Sequence, residues 1–374
     1  MKLHGPHHLA LVLFAILLSS CGGNSFDGPQ HINLPPLPAP QPPLGGPVVF
    51  TFTGSMAAPR IDHTATLLPN GKVLVVGGFN GNVMLSSAEL YDPTVETFST
   101  TGSMNAPRAQ HTATLLPTGK VLVVGGGEGG VPLSAELYDP ATERFTATGS
   151  MTTGRVQHTA VLLRNGTVLI AGGTGLASAE TYDPVTEKFT ATGNMALPRS
   201  RHVAALLSSG RVLIAGGVGE TASQITAELY EPAAREFTST GAMTTARQWH
   251  VASPLVDGRI LIAGGISGMT WSTTAEFYDE SAGRFTSTGS MGAGRQLHSA
   301  TLLPSGKVLV VGGFDGASDL DSAELYDPIT GTFSVAGRMN TARQRHTATL
   351  LNNGRVLVAG GGTSFAAHAT AELF

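Results

Sequence analysis

Cysteine is almost missing from this chain: 374 residues hold a single one, Cys21. One thiol excludes an intrachain disulfide and any zinc cluster built on cysteines. Charge is also sparse, at 13% of residues with a formal net charge of −4. No basic field covers the molecule, so nucleic acid is excluded as the expected partner. Tryptophan occurs twice, and no segment sustains a helical period of apolar residues. Glycine and proline are abundant instead, at 48 and 22 residues, which marks a chain of many turns.

The lone cysteine has a context. Residues 9–18, LALVLFAILL, form an apolar run too short to span a bilayer but suited to the core of a signal peptide. The run ends in LSSC, Leu18 to Cys21, which resembles a bacterial lipobox. The resemblance implies cleavage before Cys21 and a lipid thioether on its sulfur, which would hold the protein on a bilayer. Gly22 in place of Asp points to the outer membrane, on either its periplasmic or its outer side. An ordinary secretory signal with an incidental Cys is the alternative. Residues 21–47 then read as the lipidated Cys plus a spacer: eight of residues 29–47 are Pro, which favours a semi-rigid, polyproline-like stalk.

From residue 48 to 374 the chain is a repeat array. The histidines His63, His111, His158, His202, His250, His298 and His346 recur at intervals of 48, 47, 44, 48, 48 and 48 residues. Three residues before each stands an arginine: Arg60, Arg108, Arg155, Arg199, Arg247, Arg295 and Arg343. A Gly-Gly pair follows each His, and then an Ala-Glu pair supplies Glu89, Glu136, Glu180, Glu228, Glu276, Glu324 and Glu372. One copy reads as four short strands, HTATLL, KVLVV, AELY and TFSTT, with PNG and Asp-Pro-Thr turns between them. Four antiparallel strands in under fifty residues make one propeller blade. An all-β, seven-bladed β-propeller follows.

These motifs resemble the Kelch repeat: Arg before His, an apolar strand ending in Gly-Gly, Tyr-Asp-Pro, and an aromatic residue seven positions after each Tyr, as from Tyr91 to Phe98. Phe stands where that family usually has Trp. The resemblance implies fold and leaves activity open. The array ends at AELF, without a fourth strand, while residues 48–56, VVFTFTGSM, match the fourth-strand segment ending at Met104. Residues 48–53 are therefore expected to complete the seventh blade and cover its edge.

Residues repeated in every blade meet a need that every blade shares. The arginines and glutamates are expected to pair in the interior, within or between blades, since a buried charge persists only with a partner. A ring of positive charge for an anion is the alternative. The histidines are expected to hydrogen-bond in place and hold no metal, being spread too widely around the axis to share one ion. No cofactor is called for by any motif.

Function should sit where the copies differ. The residue before each His lies on the face that carries the loops between second and third strands. It is Asp62, Gln110, Gln157, Arg201, Trp249, Leu297 and Arg345 in turn. Trp271 falls in one of those loops, and exposed Trp and Arg are frequent binding hot spots. Unconstrained solvent-facing positions vary in the same way. The leading expectation is a membrane-anchored envelope module that binds a protein segment or glycan on this face, with no catalytic residues. Kelch-like propellers also include galactose oxidase and a sialic-acid mutarotase, so a sugar-active enzyme using Asp62, Arg201 and Arg345 is the alternative. The lack of a second Cys argues against the copper site and Tyr-Cys crosslink of the former.

Overall fold

The computed structural model describes residues 49–127, 133–220, 222–364 and 366–374. Cys21, the apolar run and the Pro-rich stretch lie outside the described residues. Every regular element among those described is a strand.

Blade 1 is built from Thr64–Leu67, Val73–Val76, Ala88–Asp92 and Thr97–Thr100, paired antiparallel in chain order. Short turns fix the register. Leu68 N–H donates to the Lys72 carbonyl at 2.8 Å, with Gly71 in the left-handed region (φ 84°) that the tight turn requires. At the next hairpin the Asp92 carboxylate accepts from the Thr94 N–H at 2.9 Å, an Asx turn. Five further four-stranded sheets repeat this order. The first strand of each blade contacts that of the next, and Thr347–Leu350 contacts Thr64–Leu67, so the seven blades form a ring. Blade 5 adds a small hairpin, Ile266–Ser267 with Thr270–Trp271, on its second-to-third loop.

The seventh sheet takes its fourth strand from the other end of the chain. Thr51 lies opposite Leu373 and Phe52 opposite Glu372. This strand spans only Thr51–Phe52, shorter than residues 48–53. Phe50 sits outside the ladder but is buried, its ring 5.0 Å from that of Phe374.

The second strands are buried along their whole length because both faces are covered. Val73 and Val75 pack toward Leu357 and Ala359 of blade 7, while Leu74 and Val76 pack toward Val121 and Val123 of blade 2. The core is thus seven wedges, one at each blade interface.

A second tie runs along the outer part of these interfaces. The hydroxyl of Tyr91 meets Thr53 Oγ1 of the preceding blade at 2.8 Å, and Tyr138, Tyr182, Tyr230, Tyr278 and Tyr326 repeat the bond with Thr101, Thr148, Thr192, Thr240 and Thr288. The seventh interface has Phe374 in place of the Tyr and Ala336 in place of the Thr, both packed in one cluster. Loss of the donor and loss of its partner coincide, so no buried hydroxyl is stranded there.

Candidate functional site: the axial mouth

The site is built on a wall of repeated charges. In every blade the arginine is at most 1% exposed and pairs with the glutamate of its own blade, at 2.8 Å for Arg60–Glu89 and 2.7 Å for Arg295–Glu324. Arg60 also donates through Nη1 to the carbonyls of Gly77 and Ser87, and Glu89 accepts the N–H of Ala57. This network ties the entry loop, the Gly-Gly turn and the third strand together inside one blade. The pairing is within blades at all seven positions.

The histidines link blades instead. Nε2 of His111 meets Thr64 Oγ1 of the preceding blade at 3.0 Å, and His63, His158, His202 and His346 repeat this with Thr347, Thr112, Thr159 and Ser299. His250 and His298 have no such partner, because Val203 and Val251 occupy the matching positions. The Gly pair makes room for the ring: a Cβ on Gly77, itself at φ 61°, would lie 2.9 Å from His111 Cε1 and 2.5 Å from the Arg108 carbonyl oxygen. Burial, assisted by the adjoining arginine, lowers the pKa of His111 to about 3, so the imidazole is neutral at physiological pH.

Between each Arg and His, the chain must turn so that both side chains enter the wall. It does so by placing one residue in the left-handed region: Asp62, Gln110, Gln157, Arg201, Trp249, Leu297 and Arg345 have φ between 51° and 58°. Left-handed backbone is uncommon for Gln or Arg and strained for Trp or Leu, yet all seven copies adopt it. No Gly or Asn marks these positions, so the turn was invisible in the sequence. The seven residues, all half-buried, form a collar. The N–H of Gln110 donates to the carbonyl of Asp62 at 3.0 Å, and Arg201, Trp249, Leu297, Arg345 and Asp62 bond in the same way to the preceding member, at 3.1, 3.1, 3.3, 3.0 and 3.4 Å.

Side chains continue the chain on one side of the collar. Arg345 and Gln110 both donate to Asp62 Oδ2, at 3.0 and 3.3 Å. Gln157 Nε2 donates to Gln110 Oε1 at 3.1 Å, and Arg201 Nε to Gln157 Oε1 at 2.9 Å. The Arg201 guanidinium then lies 4.0 Å over the Trp249 ring. Trp249 and Leu297 complete the circle as an apolar arc.

The second-to-third loops rise beside the collar on the same face. Ile61 and Phe79 exchange backbone hydrogen bonds at 2.9 and 2.8 Å, and the equivalent bridges recur from Ser200 to Val218, Gln248 to Ile266, Gln296 to Phe314 and Gln344 to Gly362. A cavity of about 180 Å³ opens between collar and loops, lined by Ile61, Phe79, Met84, Ala109 and Gly127 together with Asp62, Gln110 and Arg345. Sequence reasoning found the collar members of this cavity and marked the variable loop of residues 79–87 on the same face; that Phe79 and Met84 of that loop line the cavity is decided only by its folding. Trp271 stands apart from the collar. It is half-buried, its ring 6.0 Å from Phe314 of the next blade, and a Cβ on Gly316 would collide with it. Neither tryptophan is freely exposed.

Two segments, residues 63–105 and 299–340, match the Kelch motif. The fold is similar to that of a novel fungal alcohol oxidase with catalytic diversity among the AA5 family, solved in complex with copper. Identity is 20% and the TM-score 0.73, over 87% of this chain and 76% of that one. It is also similar to the structure of YjhT, at 13% identity and a TM-score of 0.59, over 75% of this chain and 98% of that one. A search of curated protein sequences gives no match. The chain is a seven-bladed β-propeller that carries the Kelch motif in two of its blades.

The described residues do not fit a copper centre. All six tyrosines are committed to their repeated interface positions, and among the described residues no three His, Cys, Asp or Glu side chains converge as a ligand set.

Proposed function

We propose that the propeller is a binding module whose axial mouth recognises a segment of protein or a glycan, held at the outer membrane through acylated Cys21. One observation carries the reading: seven positions with one backbone conformation hold five different kinds of side chain, above a wall that uses one kind at each place. A shared backbone with free side chains is how a rigid scaffold presents a specific surface. The collar offers two guanidiniums, two amides, a carboxylate and an apolar arc, and a cavity opens at its edge. Binding sites combine these features: apolar walls with a few placed polar groups.

Capture from envelope extract tests the reading. The full chain should retain a partner that the triple variant Arg201→Ala, Trp249→Ala, Arg345→Ala loses at matched melting temperature. Equal capture by both chains would move the site off the mouth. The sugar-active alternative has no observation of its own in its favour, since the Asp62 carboxylate is already engaged by Arg345 and Gln110.

A further inference from the structure

Four Asn-Gly pairs occur in the chain: Asn70-Gly71, Asn80-Gly81, Asn165-Gly166 and Asn353-Gly354. Such a pair loses its side-chain amide when the glycine nitrogen adds to the asparagine Cγ, a close approach that no Cβ obstructs. The dipeptide is the same in all four, and the fold divides them three to one.

Asn70, Asn165 and Asn353 sit in the turns between first and second strands. There the attacking nitrogen is already engaged. Gly71, Gly166 and Gly354 donate their N–H to the carbonyls of Leu68, Leu163 and Leu351, at 2.9, 3.0 and 3.0 Å. The preceding blade also closes over these glycines: a Cβ would lie 3.3 Å from Asn352 Nδ2, 3.7 Å from Pro117 and 3.9 Å from Pro304.

Asn80 sits instead in the second-to-third loop of blade 1, on the mouth face. The N–H of Gly81 has no acceptor among the described residues, and nothing stands within 4 Å of where its Cβ would be. Asn80 Oδ1 accepts the N–H groups of Asn82 and Val83, both at 2.9 Å. Two donors on that oxygen stabilise the negative charge that builds there when a nucleophile adds to Cγ. The amide oxygens of Asn70 and Asn353 accept one N–H each, at 3.1 Å, and that of Asn165 adds only the Thr167 hydroxyl.

Blade 6 shows what the product would meet. Asp315 stands where blade 1 has Asn80, between Phe314 and Gly316, and its Oδ1 accepts the N–H groups of Ala317 and Ser318 at 2.8 and 2.7 Å. The two loops close by the same bridge, from Phe79 to Met84 and from Phe314 to Asp319. This place in the loop therefore holds a carboxylate without rearrangement.

We infer that Asn80 is a site of spontaneous deamidation, which installs a carboxylate next to Phe79 at the edge of the axial cavity. Gly81 gives its N–H proton to solvent, and its nitrogen bonds to Asn80 Cγ. The Cγ–Nδ2 bond breaks, and the nitrogen leaves as ammonia with a proton from solvent. Water then opens the succinimide at either carbonyl, leaving aspartate or isoaspartate. The mouth face so gains one negative charge after synthesis, whatever it binds.

The test is peptide mass spectrometry of the full chain aged in mildly alkaline buffer, folded and in urea. In the folded chain Asn80 should convert at least about tenfold faster than Asn70, Asn165 and Asn353, the factor expected from one hydrogen bond withheld from the nucleophile. In urea the four rates should converge. Gly81→Ala should slow conversion at Asn80 and leave the other three unchanged. Asn80→Asp should melt level with the wild type, as the match to Asp315 requires. Equal rates in the folded chain, faster conversion at a hairpin site, or an Asn80 that stays intact while the unfolded chain converts would overturn the inference. So would a spread that persists in urea, since the dipeptides and not the fold would then set it. A clear fall in the melting temperature of Asn80→Asp would overturn the match to blade 6.

Discussion

His63 and Asp62 are neighbours in the chain and opposites in their constraints. His63 belongs to the wall, 6% exposed, and its kind recurs in all seven blades. Asp62 belongs to the mouth, and its six counterparts are Gln, Gln, Arg, Trp, Leu and Arg. The backbone repeats in every copy of both, with the mouth residue always in the left-handed region. The side-chain environment is what sets them apart in variability. A wall residue meets a neighbouring blade that is itself a repeat, so one solution is copied seven times. A mouth residue meets the axis, where packing sets no common demand. The wall makes the ring, and the mouth individualises it.

The largest expected effect breaks both regions at once. Deleting residues 49–56 removes the buried Phe50 and Met56 together with the strand that borders Ala371–Leu373. The cost should be at least about 5 kcal/mol from the two lost side chains and the bared edge. Calorimetry of the truncated chain reads it, and an unchanged transition would show that the ring holds without this strand.

Next comes the wall. Glu276 is fully buried and accepts from Arg247 at 3.1 Å and from the Thr244 N–H at 2.7 Å. Glu276→Gln leaves the guanidinium buried without its counter-charge, and should cost about 3 kcal/mol in denaturant unfolding. A loss below about 0.5 kcal/mol would mean that the network tolerates an uncompensated arginine.

Acid probes the same wall more gently. His63, His111, His158, His202, His250 and His346 are held near a pKa of about 3 by burial and the nearby arginines. Unfolded, each returns to 6.5, so the unfolded chain binds more protons between the two values. Stability from these groups is therefore full above pH 6.5 and falls as pH drops toward 3, by up to about 1.4 kcal/mol per pH unit for each histidine. Replacing His250, which lacks an Nε2 partner, by Gln should flatten that slope by close to one proton. A melting temperature flat from pH 7 to 4 would contradict neutral burial.

The smallest effect belongs to the mouth. Leu297→Asn places a residue that tolerates left-handed backbone at φ 56°, at a position outside the seven core clusters. The thermal midpoint should rise or stay level, within about 1 kcal/mol. A loss above about 2 kcal/mol would show that Leu297 packs like a wall residue and would blur the contrast.

Much of this was legible early. Seven histidines at six intervals of 44 to 48 residues set the blade count, and the Arg, His, Gly-Gly and Ala-Glu landmarks identified the wall, because a shared packing need imprints one residue type at a fixed place. The seven mouth positions were legible as the gaps in that pattern. Phe79 and Met84 were not, since a loop residue declares no neighbour until the chain folds. Trp271 reads in sequence as an exposed anchor, and in the fold it leans on Phe314.

The sequence alone determined the all-β repeat, the number of blades and which residues recur in every blade, since those follow from local strand periodicity and from a period copied along the chain. Only the tertiary structure decided that the arginines pair within blades and the histidines between them. It also decided that the seven variable residues close into a hydrogen-bonded collar, with a cavity of mixed lining at its edge. Those facts depend on distances between residues far apart in the chain, and ring closure alone sets them.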